Sequence, residues 1–386
     1  MNERCAFRTG PTVYGENFFG RKSLMKTVRD HMASEVSVFL VGQRRIGKSS
    51  ILAQLRHLES SHNNKLLVVG LHGDMMYSHH GELGQILYRR LYREIEYQFN
   101  SQGMRISKLD HRKPVDEWQI IKVLEQVRDQ GFKVLLLFDD FDIAFRGNDP
   151  SVAMVIRSMI SQGHMVAAFA ASLWPEHMEM FSDQNAPWYN VFSLVKGIGN
   201  FTVEEGKELL SVLSHRSGKE FSEQEIDTII NIVGTQPYYM QCVGMLVFID
   251  TEFKNEKCDR KKELSYGVDR AVYEIMFHHL IYIVSSLREE DLQVIKKISE
   301  KGGTEKTRND AQLSRLQAIG LLDEKDGTYY VANNLLKNFL LGMPKEGILE
   351  KIRKTSDRNP EWTDFAKATI RKSIDETIKV AVGALS

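Results

Sequence analysis

The stretch Gly42-Gln-Arg-Arg-Ile-Gly47-Lys48-Ser49 has the spacing G-x-x-x-x-G-K-S, and residues of these types so spaced bind phosphate. The glycines let successive backbone N–H groups curl around an anion, and a helix start adds positive potential. The lysine reaches the outer phosphates and the serine hydroxyl meets Mg²⁺. The pattern has meaning only between a buried strand and a helix, and here SVFLVG precedes it and SSILAQLRHLE follows. The nucleotide-binding set read from this loop is Gly42, Gln43, Arg44, Arg45, Ile46, Gly47, Lys48, Ser49 and Ser50. Arg44 and Arg45 lie at its tip, facing a neighbouring subunit or simply exposed. A second cluster, Asp139-Asp140-Phe141-Asp142, ends the apolar run KVLLLF, which delivers carboxylates to the strand end where open α/β sheets hold their ligands. Asp139 is expected to hold Mg²⁺ together with Ser49. Asp140, with Lys48, is the expected catalytic group, placed to polarise an attacking water. Asp142 is read as solvated or structural.

These residues need a sheet to carry them. Four apolar runs, Ser37 to Gly42, Lys65 to Leu71, Lys133 to Phe138 and Met165 to Ala171, are separated by helical segments such as Trp118 to Arg128. Continuous apolar strands alternating with helices imply a parallel sheet covered on both faces, with a fifth strand expected at Asn190 to Val195. The character changes after Gly199. Thr202-Val-Glu-Glu205 and Ser222-Glu-Gln-Glu225 read as capping boxes that open helices, and Gly234-Thr-Gln-Pro237 leads into the apolar segment Tyr238 to Phe248. A helix from Leu287, another over Ala311 to Ile319, and two short strands joined at Asp326-Gly327 give a winged-helix pattern, in which Gly302 to Thr307 leaves little room for a middle helix. The expected organisation is an α/β core over 1–199, a helical lid over 200–284, a winged helix over 285–343 and a charged tail over 344–386.

The 386 residues carry 51 Lys plus Arg against 51 Asp plus Glu, so no net field draws the whole molecule to nucleic acid or an anionic membrane. Any such contact must be a local patch. Three cysteines, Cys5, Cys242 and Cys258, match neither a zinc site nor a CxxC pair and argue for a reducing cytoplasm. No apolar stretch is long enough to cross a bilayer, and the N-terminus lacks the apolar core of a signal peptide. The reading is a cytoplasmic protein with no membrane partner.

In the order of its motifs the sequence resembles the STAND-class P-loop ATPases of the AAA+ superfamily, and within them prokaryotic ATPases whose core is similar to archaeal origin initiators. The parts that carry this resemblance are Phe18-Phe19-Gly20-Arg21, the phosphate loop, LLLFDDFD, the fourth strand ending at Ser172, Thr202-Val-Glu-Glu205, Gly234-Thr-Gln-Pro237 and the winged helix, over residues 12–342. The resemblance implies an α/β fold with sheet order 5-1-4-3-2, a helical lid, and ATP with Mg²⁺ as cofactors. It implies that the segment from Val13 to Arg21 lines the adenine, with Arg21 and Pro237 in the nucleotide-binding set and Pro237 sensing which nucleotide is bound. The implied activity is slow ATP hydrolysis coupled to a conformational switch. The switch would control a homo-oligomer or a separate effector protein, in bacterial defence or stress signalling. The alternative is a DNA-binding AAA+ ATPase similar to origin initiators or transposition regulators, with the winged helix on duplex.

Two features depart from the family pattern. Asp140 stands where glutamate is usual, one methylene shorter, and the polar residue ending the fourth strand is Ser172 with no arginine beside it. Arg157 reads as a surface ion pair, with a trans-acting finger as the other reading. His79-His80 reads as a solvated loop, and Pro187-Trp188-Tyr189 as core packing. Lys306, Arg308 and Arg315 accompany the second helix of the winged unit, offset by Asp310, Asp323, Glu324 and Asp326.

Overall fold

The computed structural model describes residues 5–62, 65–74, 83–109, 113–145, 151–178, 192–249, 260–305 and 310–342. His79-His80, Pro187-Trp188-Tyr189, Lys306, Arg308, Cys258 and the tail over 344–386 lie outside them. The chain forms two compact units. One takes Thr12–Gly42 and Gly47–Ile198. The other takes the described residues before Thr12, the four residues Gln43–Ile46, and the described residues from Gly199 onward.

The first unit is built on a parallel sheet of β1 (Ser37–Gly42), β2 (Leu66–His72), β3 (Lys133–Asp139), β4 (Met165–Ala171) and β5 (Phe192–Ile198), in the order β2-β3-β4-β1-β5. This is the expected order. Every residue of β1 is buried, as a strand covered on both faces requires. The covering helices are α1 (Lys22–Ala33), α2 (Lys48–His62), α3 (Leu83–Ser101), α4 (Glu117–Asp129), the single turn α5 (Phe141–Ala144) and α6 (Ser151–Ser161). Helix α4 opens on a capping box in which Asp116 and Gln119 satisfy each other's backbone N–H groups. Strand β5 runs on to Ile198, three residues past the run expected at Asn190 to Val195, whose first two residues lie outside the described ones. It is an edge strand in the sheet order, and the consecutive residues Val195 and Lys196 are both exposed.

An aromatic cluster fixes the end of β3. Phe141 is fully buried, with its ring 4.8 Å from Phe169, 5.2 Å from Phe138 and 5.8 Å from Phe39. Such edge-to-face contacts add to the hydrophobic gain. The chain between Phe138 and Phe141, which carries Asp139 and Asp140, is therefore pinned at both ends.

The second unit begins with α7 (Val203–Arg216), α8 (Glu223–Val233) and α9 (Pro237–Ile249). Both expected capping boxes are present, Thr202 with Glu205 and Ser222 with Glu225. Gly234-Thr-Gln-Pro237 is a helix stop followed by a start. Gly234 ends α8 at φ 72°, where a Cβ would lie 2.7 Å from Asn333 Cβ. Pro237 opens α9, where its missing N–H costs nothing, and the Tyr239 N–H donates to Gln236 Oε1. Helix α10 (Arg260–Arg270) runs through a π-helical segment, Ala271–Met276, into α11 (Phe277–Ser286). The N-terminal residue Phe7 is buried against Phe221 and Phe248 in a notch that only glycine permits, since a Cβ on Gly244 would meet its ring at 2.2 Å.

The winged unit comprises α12 (Glu289–Lys301), β6 (Thr304–Glu305), α13 (Ala311–Ala318), β7 (Leu322–Lys325) and β8 (Thr328–Val331), followed by α14 (Asn334–Leu341). Its antiparallel order is β6-β8-β7. Asp326 and Gly327 both take positive φ, the type I′ geometry that their dipeptide predicts. No middle helix forms among the described residues: Gly302 and Gly303 break the chain at positive φ and a two-residue strand follows.

Candidate functional site

Lys48 is the first residue of α2 and is 6% exposed. Its Nζ donates to the Gly42 carbonyl at 2.9 Å and to Ser172 Oγ at 3.2 Å, so the ammonium is held at the junction of β1 and β4. These two strands pair up to Val41 and Ala171, which explains how residues 124 positions apart meet. Ser172 has a second tie, because its backbone N–H donates to Asp142 Oδ1 at 3.2 Å. Asp142 is accordingly buried and structural, and Ser172 joins the lysine of one motif to the carboxylates of the other.

The loop itself bends at Arg45 and Gly47, at φ 65° and 104°. Left-handed conformation costs a non-glycine residue roughly 1 kcal/mol, so contacts must hold Arg45 there. Ile46 is fully buried and anchors the tip. Ser49 sits half-buried in the first turn of α2. Ser50 is turned to another use: its Oγ accepts from the Val13 N–H at 3.2 Å, while Gln54 Oε1 accepts from the Gly15 N–H at 2.7 Å. With Tyr14 against the His57 ring, these bonds lay the segment before Arg21 along α2. Arg21 is 8% exposed and caps α1 from a left-handed conformation.

Asp139 is 3% exposed. Its Oδ1 accepts from the Asp140 N–H at 3.0 Å and its carbonyl accepts from the Gly73 N–H at 2.9 Å. His72, its register partner on β2, places Nδ1 at 3.9 Å from Asp139 Oδ2. Asp140 turns the chain at φ 49°. Burial and the neighbouring Asp139 push the Asp140 carboxyl above its ordinary value. Lys48 pulls it back, and Asp142 and Asp74 add to the rise. Four carboxylates beside one lysine leave an excess of negative charge, which a divalent cation would relieve.

The donor set fits Mg²⁺. The Ser49 hydroxyl and the Asp139 carboxylate are hard oxygen ligands, and magnesium keeps most of its shell as water and phosphate oxygen. Among the described residues, no group of three or more His, Cys, Asp or Glu that could hold a metal occurs.

Lys48, Ser172, Asp139, Asp140 and Asp142 thus form one cluster. Pro237 belongs to the second unit as the buried start of α9. Arg44 and Arg45 are exposed, as one of their two readings has it, and each guanidinium lies over a tyrosine ring, Tyr282 at 4.9 Å and Tyr238 at 5.2 Å from the centroid. Among the described residues Arg157 makes no ion pair, and its Nε is buried without a hydrogen-bond partner. Gly73 escaped the sequence reading. A Cβ there would lie 2.0 Å from the Asp140 carbonyl oxygen, so only glycine lets β2 end against the Asp139-Asp140 turn. The signal available was a glycine directly after an apolar strand, in His72-Gly73-Asp74.

No protein-family model matches the chain, and no curated protein matches its sequence. Solved structures do match. The Walker-type ATPase PABY2304 of Pyrococcus abyssi superposes with a TM-score of 0.61 at 16% identity, covering 87% of this chain and 99% of that one. The Aeropyrum pernix ORC2 protein, solved as ADPNP–ADP complexes, superposes with a TM-score of 0.52 at 11% identity, covering 98% of each chain. Among the described residues, no helix is long and apolar enough to cross a membrane. With the phosphate loop, the acidic end of β3, the sheet order and the small antiparallel sheet all in place, the chain has the fold of an AAA+ P-loop ATPase with a helical region and a winged helix.

Proposed function

We propose that this protein binds Mg²⁺-ATP at the loop Gly42–Ser49 and hydrolyses it slowly. The observation that carries the reading is the buried Lys48 ammonium, pre-positioned between Gly42 and Ser172 at the mouth of a carboxylate cluster. Lys48 neutralises the outer phosphates and Ser172 keeps its ammonium oriented. Ser49 and Asp139 hold Mg²⁺, which supplies charge neutralisation at the phosphate being transferred. Asp140 accepts the proton of the attacking water, whose oxygen bonds to the terminal phosphorus as the bond to the ADP oxygen breaks. The raised Asp140 carboxyl takes up a proton more readily than an ordinary carboxylate, as a general base must. Its shorter reach compared with glutamate supports a low turnover.

Asp140→Asn is expected to lower turnover about hundredfold or more, the usual loss of a general base, with nucleotide affinity preserved. The same change has a second expected outcome. A carboxyl whose folded value lies above its unfolded one contributes stability in acid, lost as pH rises through the folded value. At neutral pH in chelator, Asp140→Asn therefore raises Tm. A parental hydrolysis rate in the variant removes Asp140 from its role.

The likeness to ORC2 over nearly the whole of both chains supports a DNA-associated ATPase over a switch for a separate effector. Duplex would meet the winged unit, where the second helix α13 carries Arg315 and strand β7 ends on Lys325 between Glu324 and Asp326. With so few cations the contact is shallow. About two to four neutralised phosphates give a slope of about −2 to −4 in log affinity against log salt. Sedimentation with labelled duplex, in ADP and then in a non-hydrolysable ATP analogue, checks this. Salt-sensitive co-sedimentation is the expected result. Absence of DNA binding at low salt, with a change of mass between the two nucleotides, would favour the effector switch instead.

A further inference from the structure

The three residues at the tip of the phosphate loop are each held by a different element of the second unit. The Gln43 side-chain amide donates to the Ile319 carbonyl at 2.8 Å, just past the end of α13. Arg44 stacks on Tyr282 of α11, and Arg45 stacks on Tyr238 of α9 while donating to the Thr9 carbonyl. The backbone has its own anchor. His279 of α11, 8% exposed, places Nε2 at 3.0 Å from the Arg44 carbonyl oxygen and Nδ1 at 3.0 Å from Tyr239 Oη.

Chemistry fixes the proton on this histidine. A carbonyl only accepts, so Nε2 must carry the hydrogen and donate it. In the neutral ring Nδ1 is then an acceptor, satisfied by the Tyr239 hydroxyl. Burial pushes the Tyr239 hydroxyl far above its ordinary value, so it keeps its proton and remains a donor. The Tyr238 and Tyr239 rings flank the imidazole edge-on at 5.4 and 5.5 Å, locking its plane. The chain Tyr239 O–H to His279 to the Arg44 carbonyl is thus directional. It fixes the direction of that carbonyl, and in a phosphate loop a carbonyl occupied by another partner leaves the neighbouring N–H groups to face the anion. It also lies one residue from Arg45, whose left-handed conformation needs support.

We propose that His279, oriented by Tyr239, is a positioning residue for nucleotide binding, preorganising the phosphate loop by holding the Arg44 carbonyl. The inference rests on the nucleotide-binding reading above and adds to it a determinant 235 residues away that belongs to none of the motifs. Without the Nε2–H donor the tip samples conformations in which its N–H groups no longer converge. Phosphate affinity then falls, while the Lys48, Asp139 and Asp140 cluster stays as it was.

The test compares the full chain with His279→Phe, His279→Gln and Tyr239→Phe, using titration with ADP and steady-state hydrolysis of ATP, both with Mg²⁺. His279→Phe keeps an aromatic ring but cannot donate. It is expected to raise the ADP Kd and the ATP KM about tenfold, the worth of one hydrogen bond to the loop, with kcat within twofold. His279→Gln, which restores an N–H donor, recovers most of the affinity. Tyr239→Phe removes only the hydroxyl that sets the tautomer and costs a few-fold. A merely structural role would instead lower the active fraction, reducing apparent kcat with KM unchanged, and that result overturns the proposal. So does an unaltered Kd in folded His279→Phe, or in Tyr239→Phe should the first variant not fold. If the parent binds ADP and Lys48→Ala does not, the nucleotide reading stands whatever His279 shows. If the parent itself fails to bind, both fall.

Discussion

Lys48→Ala is expected to weaken Mg²⁺-ATP binding by more than about a hundredfold and to remove hydrolysis. The ammonium is 6% exposed and already stripped of most of its water by Gly42 and Ser172. Its interaction with phosphate is therefore little screened, and it needs no reorganisation when the ligand arrives. Hydrogen bonds to charged groups are worth about 1.5–3 kcal/mol each. Two to phosphate oxygens thus exceed the roughly 2.8 kcal/mol that a hundredfold requires. The loss should be smaller for ADP, which lacks the outermost phosphate, and that asymmetry separates lost contact from general damage. Calorimetric titration of both nucleotides against both proteins measures it. A Kd for ATP within threefold of the parent would mean that the loop binds something else. In the unliganded variant the carboxylates of Asp139, Asp140 and Asp142 lose their neighbouring cation, so the Asp140 carboxyl moves further up.

The core of this site could be read from the sequence because its parts are local. Lys48 and Ser49 follow an apolar strand at fixed spacing, and Asp139 and Asp140 end another. β1, β3 and β4 are buried on both faces and so are continuous apolar runs. Asp326-Gly327 demanded left-handed backbone at two successive residues and found it. What escaped was set by contacts between distant segments. The edge strand β5 exposes Val195 and Lys196, so its limits were blurred. Asp142 reads from the sequence as solvated or structural, and the Ser172 N–H that donates to it across 30 residues decides for the second. Arg44 and Arg45 were ambiguous as loop tips, and only the packed unit reveals Tyr282 and Tyr238 beneath them. His279 sits in a helical run whose apolar periodicity gives no hint that a buried imidazole would find a loop carbonyl. The family resemblance supplied the sheet order, which no single stretch of sequence encodes.

Gly73→Ala should damage the protein far more than a methyl group added at Gly70 on the same strand. The new Cβ would lie 2.0 Å from the Asp140 carbonyl oxygen and 2.9 Å from both the Asp140 carbonyl carbon and the Ala144 backbone nitrogen. All three neighbours are backbone. The turn cannot recede to make room, because Phe141 behind it is fully buried against Phe39, Phe138 and Phe169. Nor can β2 withdraw without breaking its parallel register with β3, in which His72 pairs with Asp139. Overpacking of this kind costs about 3 kcal/mol or more, which for a unit of this size lowers Tm by roughly 6–12 °C. The displaced segment carries Asp139 and Asp140, so the fraction that still folds should hydrolyse ATP at under about a tenth of the parental rate, a misplacement penalty. Gly70→Ala supplies the contrast on the same strand, where a Cβ meets only the mobile guanidinium end of Arg56 at 3.2 Å. Thermal melts of the two variants side by side, with hydrolysis measured on the soluble protein, decide the matter. Equal Tm values and equal rates would show that β2 does not abut the acidic turn, and the geometry assigned to the carboxylates would have to be abandoned.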